Sequence, residues 1–200
     1  MDSTTLKSLL THPERSWLEF KFKWYWENHK KDTKNNGELL KDFSSLFNTV
    51  VDDGIKRYLI IGFDEKKKVF SNYNIDQNNE KIECFNDLIA FKKELVSSIK
   101  RNFKNRPVYK SQFELHNIEA FFSINVTELD GYELLVITFN KAPYLLELKK
   151  VLPTQTTSYK ENIILTRKCN ESNTDPAVVV ASHDHINHSL EIIKTFNDIS

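Results

Sequence analysis

From Leu18 to Trp24 apolar and charged residues alternate without a break. Leu18, Phe20, Phe22 and Trp24 are apolar, and Glu19, Lys21 and Lys23 stand between them. A period of two fits a strand and not a helix. The chain must therefore bury one face of a strand whose other face carries an acid and two amines. The spacing predicts this strand over residues 17–25.

The pattern then changes. Residues 34–37, KNNG, read as a turn. Leu39, Leu40, Phe43, Leu46, Phe47 and Val50 recur at three and four, which predicts a helix from Glu38 that ends within 48–54. RYLIIGF at 57–63 is a nearly continuous apolar run, as expected of a strand buried on both faces. Residues 69–82 are polar and read as loop. Phe85, Leu88, Ile89, Leu95, Val96, Ile99 and Phe103 mark a long helix over about 85–103, stopped before Asn105 and Pro107. Strands are expected at 108–115, 117–127 and, after an LDG turn at 129–131, in YELLVITF. Residues 140–158 read as loop around a short extended piece. ENIILTRK at 161–168 gives a last strand, DHINHSLEIIKTF at 184–196 a closing helix, and residues 3–10 a short opening helix.

The order β-α-β-α-β-β-β-β-α implies one α+β domain with a mixed, mostly antiparallel β-sheet packed by helices. It would take up residues 1–200, with a core over about 12–181 and the closing helix at about 184–197. The length favours one core, and 14 Phe, 7 Tyr and 3 Trp can fill it.

Formal net charge is zero, which excludes a protein that merely coats nucleic acid through overall basicity. Any such site must be a local patch, and Lys21, Lys23, Lys66 and Lys67 supply candidates. No apolar run approaches membrane-span length, and Met1 to Ser16 lacks the pattern of a secretory leader. Cys84 and Cys169 form no CxxC, and both are expected as free thiols in a reducing cytoplasm. No glycine-rich phosphate loop is present.

The chemistry-bearing motif is Glu19-Phe20-Lys21. Two-residue spacing on a strand puts the acid and the amine on one side, ~7 Å apart at Cα. Carboxylates hold hard divalent cations, such a cation activates water and polarises a phosphate, and a nearby ammonium stabilises the charge that develops. One acid is not enough. If strands 17–25 and 57–63 are neighbours, Glu14, Glu19 and one of Asp64 and Glu65 would meet near a common rim. An exposed Glu-x-Lys pair is also among the commonest surface arrangements. His183, His185 and His188 lie close together, but a polar cap before the closing helix explains them better than a zinc site.

At this point the chain resembles a known family. ERSWLEFK is similar to the Glu-Ser-x-x-x-Glu-Phe-Lys segment of Schlafen/AlbA-like domains. LLKDFSSLFNT resembles their helix ending in Ala-Phe-x-Asn-Thr, and YLIIGFDE their strand ending in Ile-Gly-Val-Asp-Asp. ELLVITF and ENIILTRKCNESNTDPA are similar to the late strands and the Tyr-x-x-Arg-x-Gly-Ser segment. The resemblance spans roughly residues 12–181. It implies an active site of three acids and a lysine, placed here on Glu14, Glu19, Glu65 (with Asp64 beside it) and Lys21. The implied metal is Mg²⁺ or Mn²⁺, held by Glu14, Glu19, Glu65 and Asp64. Lys23, Tyr25, Lys66, Lys67 and Arg167 are the expected nucleic-acid contacts, with Tyr25 as the stacking candidate.

The implied function is a metal-dependent endoribonuclease acting on structured RNA such as tRNA. The alternative is a non-catalytic DNA- or RNA-binding or regulatory module of the same fold. Schlafen nuclease cores pair two similar lobes and this chain carries one, so a homodimer or a partner protein is expected to complete the groove. The chain departs from the pattern at three places. Glu65 is one methylene longer than the family's Asp, Asn48-Thr49 runs into VVDDGIKR with a single glycine, and Arg167-Lys168-Cys169-Asn170 lacks the Gly-Ser.

Overall fold

The structure is a computed structural model and describes residues 1–27, 31–50, 56–76, 78–107, 115–168 and 176–197. In chain order its elements are α1 (Ser3–Thr11), β1 (Leu18–Lys21), α2 (Thr33–Asn48), β2 (Arg57–Ile61), β3 (Phe63–Asp64) and β4 (Val69–Phe70). Then come α3 (Leu88–Asn102), β5 (Phe103–Pro107), β6 (Phe122–Leu129), β7 (Tyr132–Phe139), β8 (Tyr144–Leu148) and β9 (Leu152–Pro153). β10 (Ser158–Tyr159), β11 (Leu165–Lys168), β12 (Ala177–Val180) and α4 (His183–Asn197) close the chain. This is a single-domain α+β fold with a mixed sheet.

The main sheet runs β1-β2-β7-β6. β1 lies parallel to β2, and the other pairs are antiparallel. The expected neighbourhood of the first strand and the RYLIIGF run is therefore present, with Glu19 opposite Leu59 and Lys21 opposite Ile61.

Strand alternation divides the core into two layers. On one face Leu18, Phe20, Ile60, Leu134 and Val136 pack with Leu6, Leu9 and Leu10 of α1. On the other, Leu59, Ile61, Leu135 and Ile137 pack with Leu40, Phe43 and Phe47 of α2 and Phe91, Leu95 and Ile99 of α3. The register has a direct consequence. Glu19 and Lys21 share the face of Leu59 and Ile61, so they point toward α2. The apolar side of β1 is covered by α1. β1 also stops at Lys21. The chain then bends, and Trp24 joins the layer under α2 and α3, where it packs edge-on against Phe85 and Phe91.

Several other boundaries differ. KNNG is no turn but the first part of α2, because Asp32 caps the helix by accepting from the Asn35 N–H at 2.7 Å. Gly37 is needed inside that helix, since a Cβ there would sit 1.8 Å from the Pro153 carbonyl oxygen. Residues 117–120 lie in 3-10 turns at Leu115–Ala120, and strand pairing starts only at Phe122. β5, β12 and the short β4 stand where no strand was expected. The strand expected at 108–115 falls almost entirely outside the described residues, as do Cys169 and the turn at 51–54.

Gly62 separates β2 from β3 at φ +110°, a backbone conformation that favours glycine. A Cβ there would also come within 2.5 Å of the Ser71 carbonyl oxygen. Its N–H donates to the Lys21 carbonyl at 2.8 Å. This bend carries Asp64 and Glu65 round to the end of β1.

Candidate active site

The end of α2 determines which strands reach the site. Asn48 is 1% exposed and donates from Nδ2 to the carbonyls of Leu146 and Leu165, each at 2.9 Å. Its Oδ1 accepts from the Leu146 N–H at 2.6 Å. Thr49 Oγ1 donates to the Ser45 carbonyl at 2.7 Å and accepts from the Arg167 N–H at 3.1 Å. The Arg57 guanidinium donates to the carbonyls of Phe47, Thr49 and Asn140, which satisfies backbone acceptors where α2 ends. Burial pulls the Arg57 group down to about 10. The Asn-Thr pair thus fastens β8 and β11 to α2, and β11 delivers Arg167.

Arg167 is buried, and Nη1 donates to Glu19 Oε2. The other oxygen, Glu19 Oε1, lies 2.6 Å from Lys21 Nζ. Lys21 Nζ is also 3.1 Å from Asp42 Oδ2. Asp42 is 2% exposed, accepts from the Tyr25 hydroxyl at 2.9 Å, and has Lys41 at 3.6 Å on Oδ1. The result is a continuous chain of alternating charge, Arg167–Glu19–Lys21–Asp42–Lys41, of which Glu19 and Lys21 also line the cleft described next. Burial pulls the Lys21 ammonium down, but Asp42 and Glu19 outweigh it and hold it well above the usual lysine range. Burial would raise Asp42, and Lys21, Lys41 and Tyr25 overcome that and leave it low.

A cleft of about 310 Å³ opens beside this chain, lined by Glu14, Glu19, Lys21, Asp64, Glu65 and Lys66 together with apolar neighbours. All four acids expected on sequence grounds therefore face one cavity. Glu14 Oε1 accepts from the Phe20 N–H at 3.0 Å. Burial and the adjacent Glu19 push Glu14 up to about 7. Asp64 is partly engaged by its own turn, accepting from the Lys67 N–H at 2.9 Å. Among the described residues no three His, Cys, Asp or Glu side chains stand close enough together to hold a metal ion.

The remaining candidates separate clearly. Lys66 lines the cleft, and Lys67 is exposed beside it. Lys23 turns away and lies 5.3 Å over the Phe22 ring. The Tyr25 hydroxyl is committed to Asp42, while the residue lines a second cleft of about 380 Å³ with Trp26, Asn35 and Gln155. Arg167, expected as a nucleic-acid contact, is buried against Glu19 instead. His185 Nε2 lies 3.4 Å from Thr166 Oγ1, and burial followed by His188 and Lys168 lowers it. Cys84 is pushed up to about 12 by burial. Among the described residues no helix is long and apolar enough to cross a membrane.

Sequence reasoning missed Asp42. The signal was present, because Asp42 falls three after Leu39 and four before Leu46, on the apolar stripe of α2. An acid there requires a buried cationic partner.

The Glu14 shift sets a pH dependence. Its folded value of about 7 lies above its ordinary 4.5, so between those values the folded chain holds a proton the unfolded chain has released. Its contribution to stability is complete below pH 4.5 and is lost as pH rises through 7. His185 acts in the opposite direction over part of this range, so the difference between proteins is the informative quantity. Melting temperatures of wild type and Glu14→Gln are expected to diverge from pH 5 to pH 7.5, with the variant gaining relative to wild type. Parallel curves would remove Glu14 as a titrating group.

No family model matches this chain, and no curated protein matches it. Solved structures that match include the DIP2311 protein from Corynebacterium diphtheriae, at 11% identity and a TM-score of 0.43. That match covers 88% of this chain and 30% of the other, so this chain spans less than a third of that protein's length.

Proposed function

We propose that this chain is a divalent-metal-dependent endoribonuclease acting on structured RNA such as tRNA. The observation that carries this reading is the single cleft lined by Glu14, Glu19, Asp64 and Glu65 with Lys21 among them. Such a cleft repels a phosphate unless a cation enters with it. Glu14, held near 7 by burial and by Glu19, is the carboxylate with unmet demand for positive charge.

The donor set is hard oxygen, which fits Mg²⁺ or Mn²⁺. Mg²⁺ usually binds through one or two carboxylates plus substrate phosphates, so three converging acids are not required. One or two of Glu14, Asp64 and Glu65 would hold it together with substrate phosphate oxygens, with Glu19 offering the acceptor directions that Lys21 and Arg167 leave over. When bound, the cation supplies an activated water and a polarised phosphate. Lys21 contributes a fixed positive charge for the phosphate oxygens. Lys66 and Lys67 extend the positive rim toward the RNA backbone. The resemblance to Schlafen/AlbA-like domains points the same way. A cytoplasmic setting, and a second copy or partner protein completing the groove next to β1, belong to this reading.

One observation favours a non-catalytic DNA- or RNA-binding module instead: both Glu19 oxygens already face cations of the protein itself. The deciding experiment incubates purified tRNA and single-stranded DNA with the protein in Mg²⁺, Mn²⁺ or EDTA. Glu14→Gln and Glu19→Gln proteins, shown to be folded, are run beside it. Metal-dependent RNA cleavage, reduced at least about 100-fold in both variants, is the expected result. In parallel, Mg²⁺ at pH 7.5 is expected to raise the melting temperature of wild type and not of Glu14→Gln. A wild type that retards RNA in a gel but cleaves none, with no thermal response to metal, supports the binding module.

A further inference from the structure

Lys21 carries three N–H donors. Two are directed at carboxylates, toward Glu19 Oε1 at 2.6 Å and toward Asp42 Oδ2 at 3.1 Å. The third remains for whatever enters the cleft that Lys21 lines. A lysine side chain has four rotatable bonds and ordinarily samples many positions. Here it is held from two sides, by β1 through Glu19 and by α2 through Asp42. Asp42 is itself fixed, because the Tyr25 hydroxyl donates to the same Oδ2 at 2.9 Å and Lys41 faces Oδ1.

We propose that Asp42 is a positioning residue that holds the Lys21 ammonium against Glu19, so that it faces the cleft as a fixed positive charge for a phosphate group. Asp42 lies outside the acids that line the cleft and acts only through Lys21. The catalytic part of this inference rests on the nuclease reading, and the positional part does not. A lysine held in this way stabilises charge without moving a proton. A freely rotating one would have to be ordered at each turnover. Misplacement on the scale of an ångström costs on the order of 100-fold in rate.

Two readouts test it on the full chain. The first is independent of activity. In ¹H–¹⁵N spectra of lysine ammonium groups near neutral pH, wild type should show a slowly exchanging signal that disappears in Lys21→Ala, which assigns it. The signal should also disappear in Asp42→Asn, and in Asp42→Ser, a smaller variant that puts no amide against the ammonium. Persistence of the Lys21 signal in either folded variant overturns the proposal. The second is a double-mutant cycle on RNA cleavage. Asp42→Asn should lower kcat roughly 10- to 100-fold with KM little changed. In the Lys21→Ala background the same change should have no further effect. A full additional loss there would make Asp42 merely structural and overturn the proposal. A wild type that cleaves no RNA defeats the nuclease reading, while the ammonium spectra still decide whether Asp42 positions Lys21.

Discussion

Glu19→Ala is expected to lower the stability of the folded chain by about 3–5 kcal/mol, the cost of leaving a buried charge without its partner. The cause is Arg167. Its side chain is 1% exposed, and among the described residues Nε has no partner and Nη2 makes only a long hydrogen bond to the Pro176 carbonyl at 3.4 Å. Removing both charges should behave differently. Replacing a buried pair with apolar groups of similar volume is often neutral, so Glu19→Leu combined with Arg167→Met should recover most of the loss. Urea unfolding of the two single variants and the double variant measures this directly. A double variant as unstable as Glu19→Ala would show that the pair is not what the single substitution breaks. The result also bears on catalysis, because only a folded Glu19 variant speaks to the chemistry of the cleft.

The second large effect is expected at Asn48. Asn48→Ala removes three buried hydrogen bonds that fasten α2 to Leu146 and Leu165. At roughly 1–3 kcal/mol for each buried group left unsatisfied, the loss should be about 3 kcal/mol or more. For a chain of this size that is a fall of roughly 6–12 °C in melting temperature. Asn48→Asp separates hydrogen bonding from packing. It has nearly the same shape, yet it sets a carboxylate against two carbonyl oxygens, so it should be at least as damaging as alanine. An Asn48→Asp protein close to wild type in a thermal melt would show that the amide donors contribute nothing.

These residues also show how far the sequence could be read. Alternation through Leu18, Phe20 and Lys21 and the unbroken run at 59–61 point to strands, because both signals depend only on neighbours along the chain. The cleft acids followed from placing those two strands side by side. Alternation says which residues share a face and nothing about which helix will cover it, so the facing of Glu19 and Lys21 toward α2 was out of reach. KNNG has turn composition, and only the cap at Asp32 and the approach of Pro153 to Gly37 make it helical. FKNRP has no alternation, and it becomes β5 through its pairing with β8. Arg167 looks like a surface cation until β11 is fastened to α2, a contact between segments more than a hundred residues apart.

That separation has a consequence for synthesis. The guanidinium that neutralises Glu19 lies 148 positions later in the chain. The bend at Gly62 brings in Asp64 and Glu65 early, but β11 is made well after them. A nascent chain that has not yet reached β11 therefore carries Glu19 with Lys21 beside it but without the buried guanidinium. The charge network can close only when Arg167 has left the ribosome, which ties the competence of the site to the synthesis of β11.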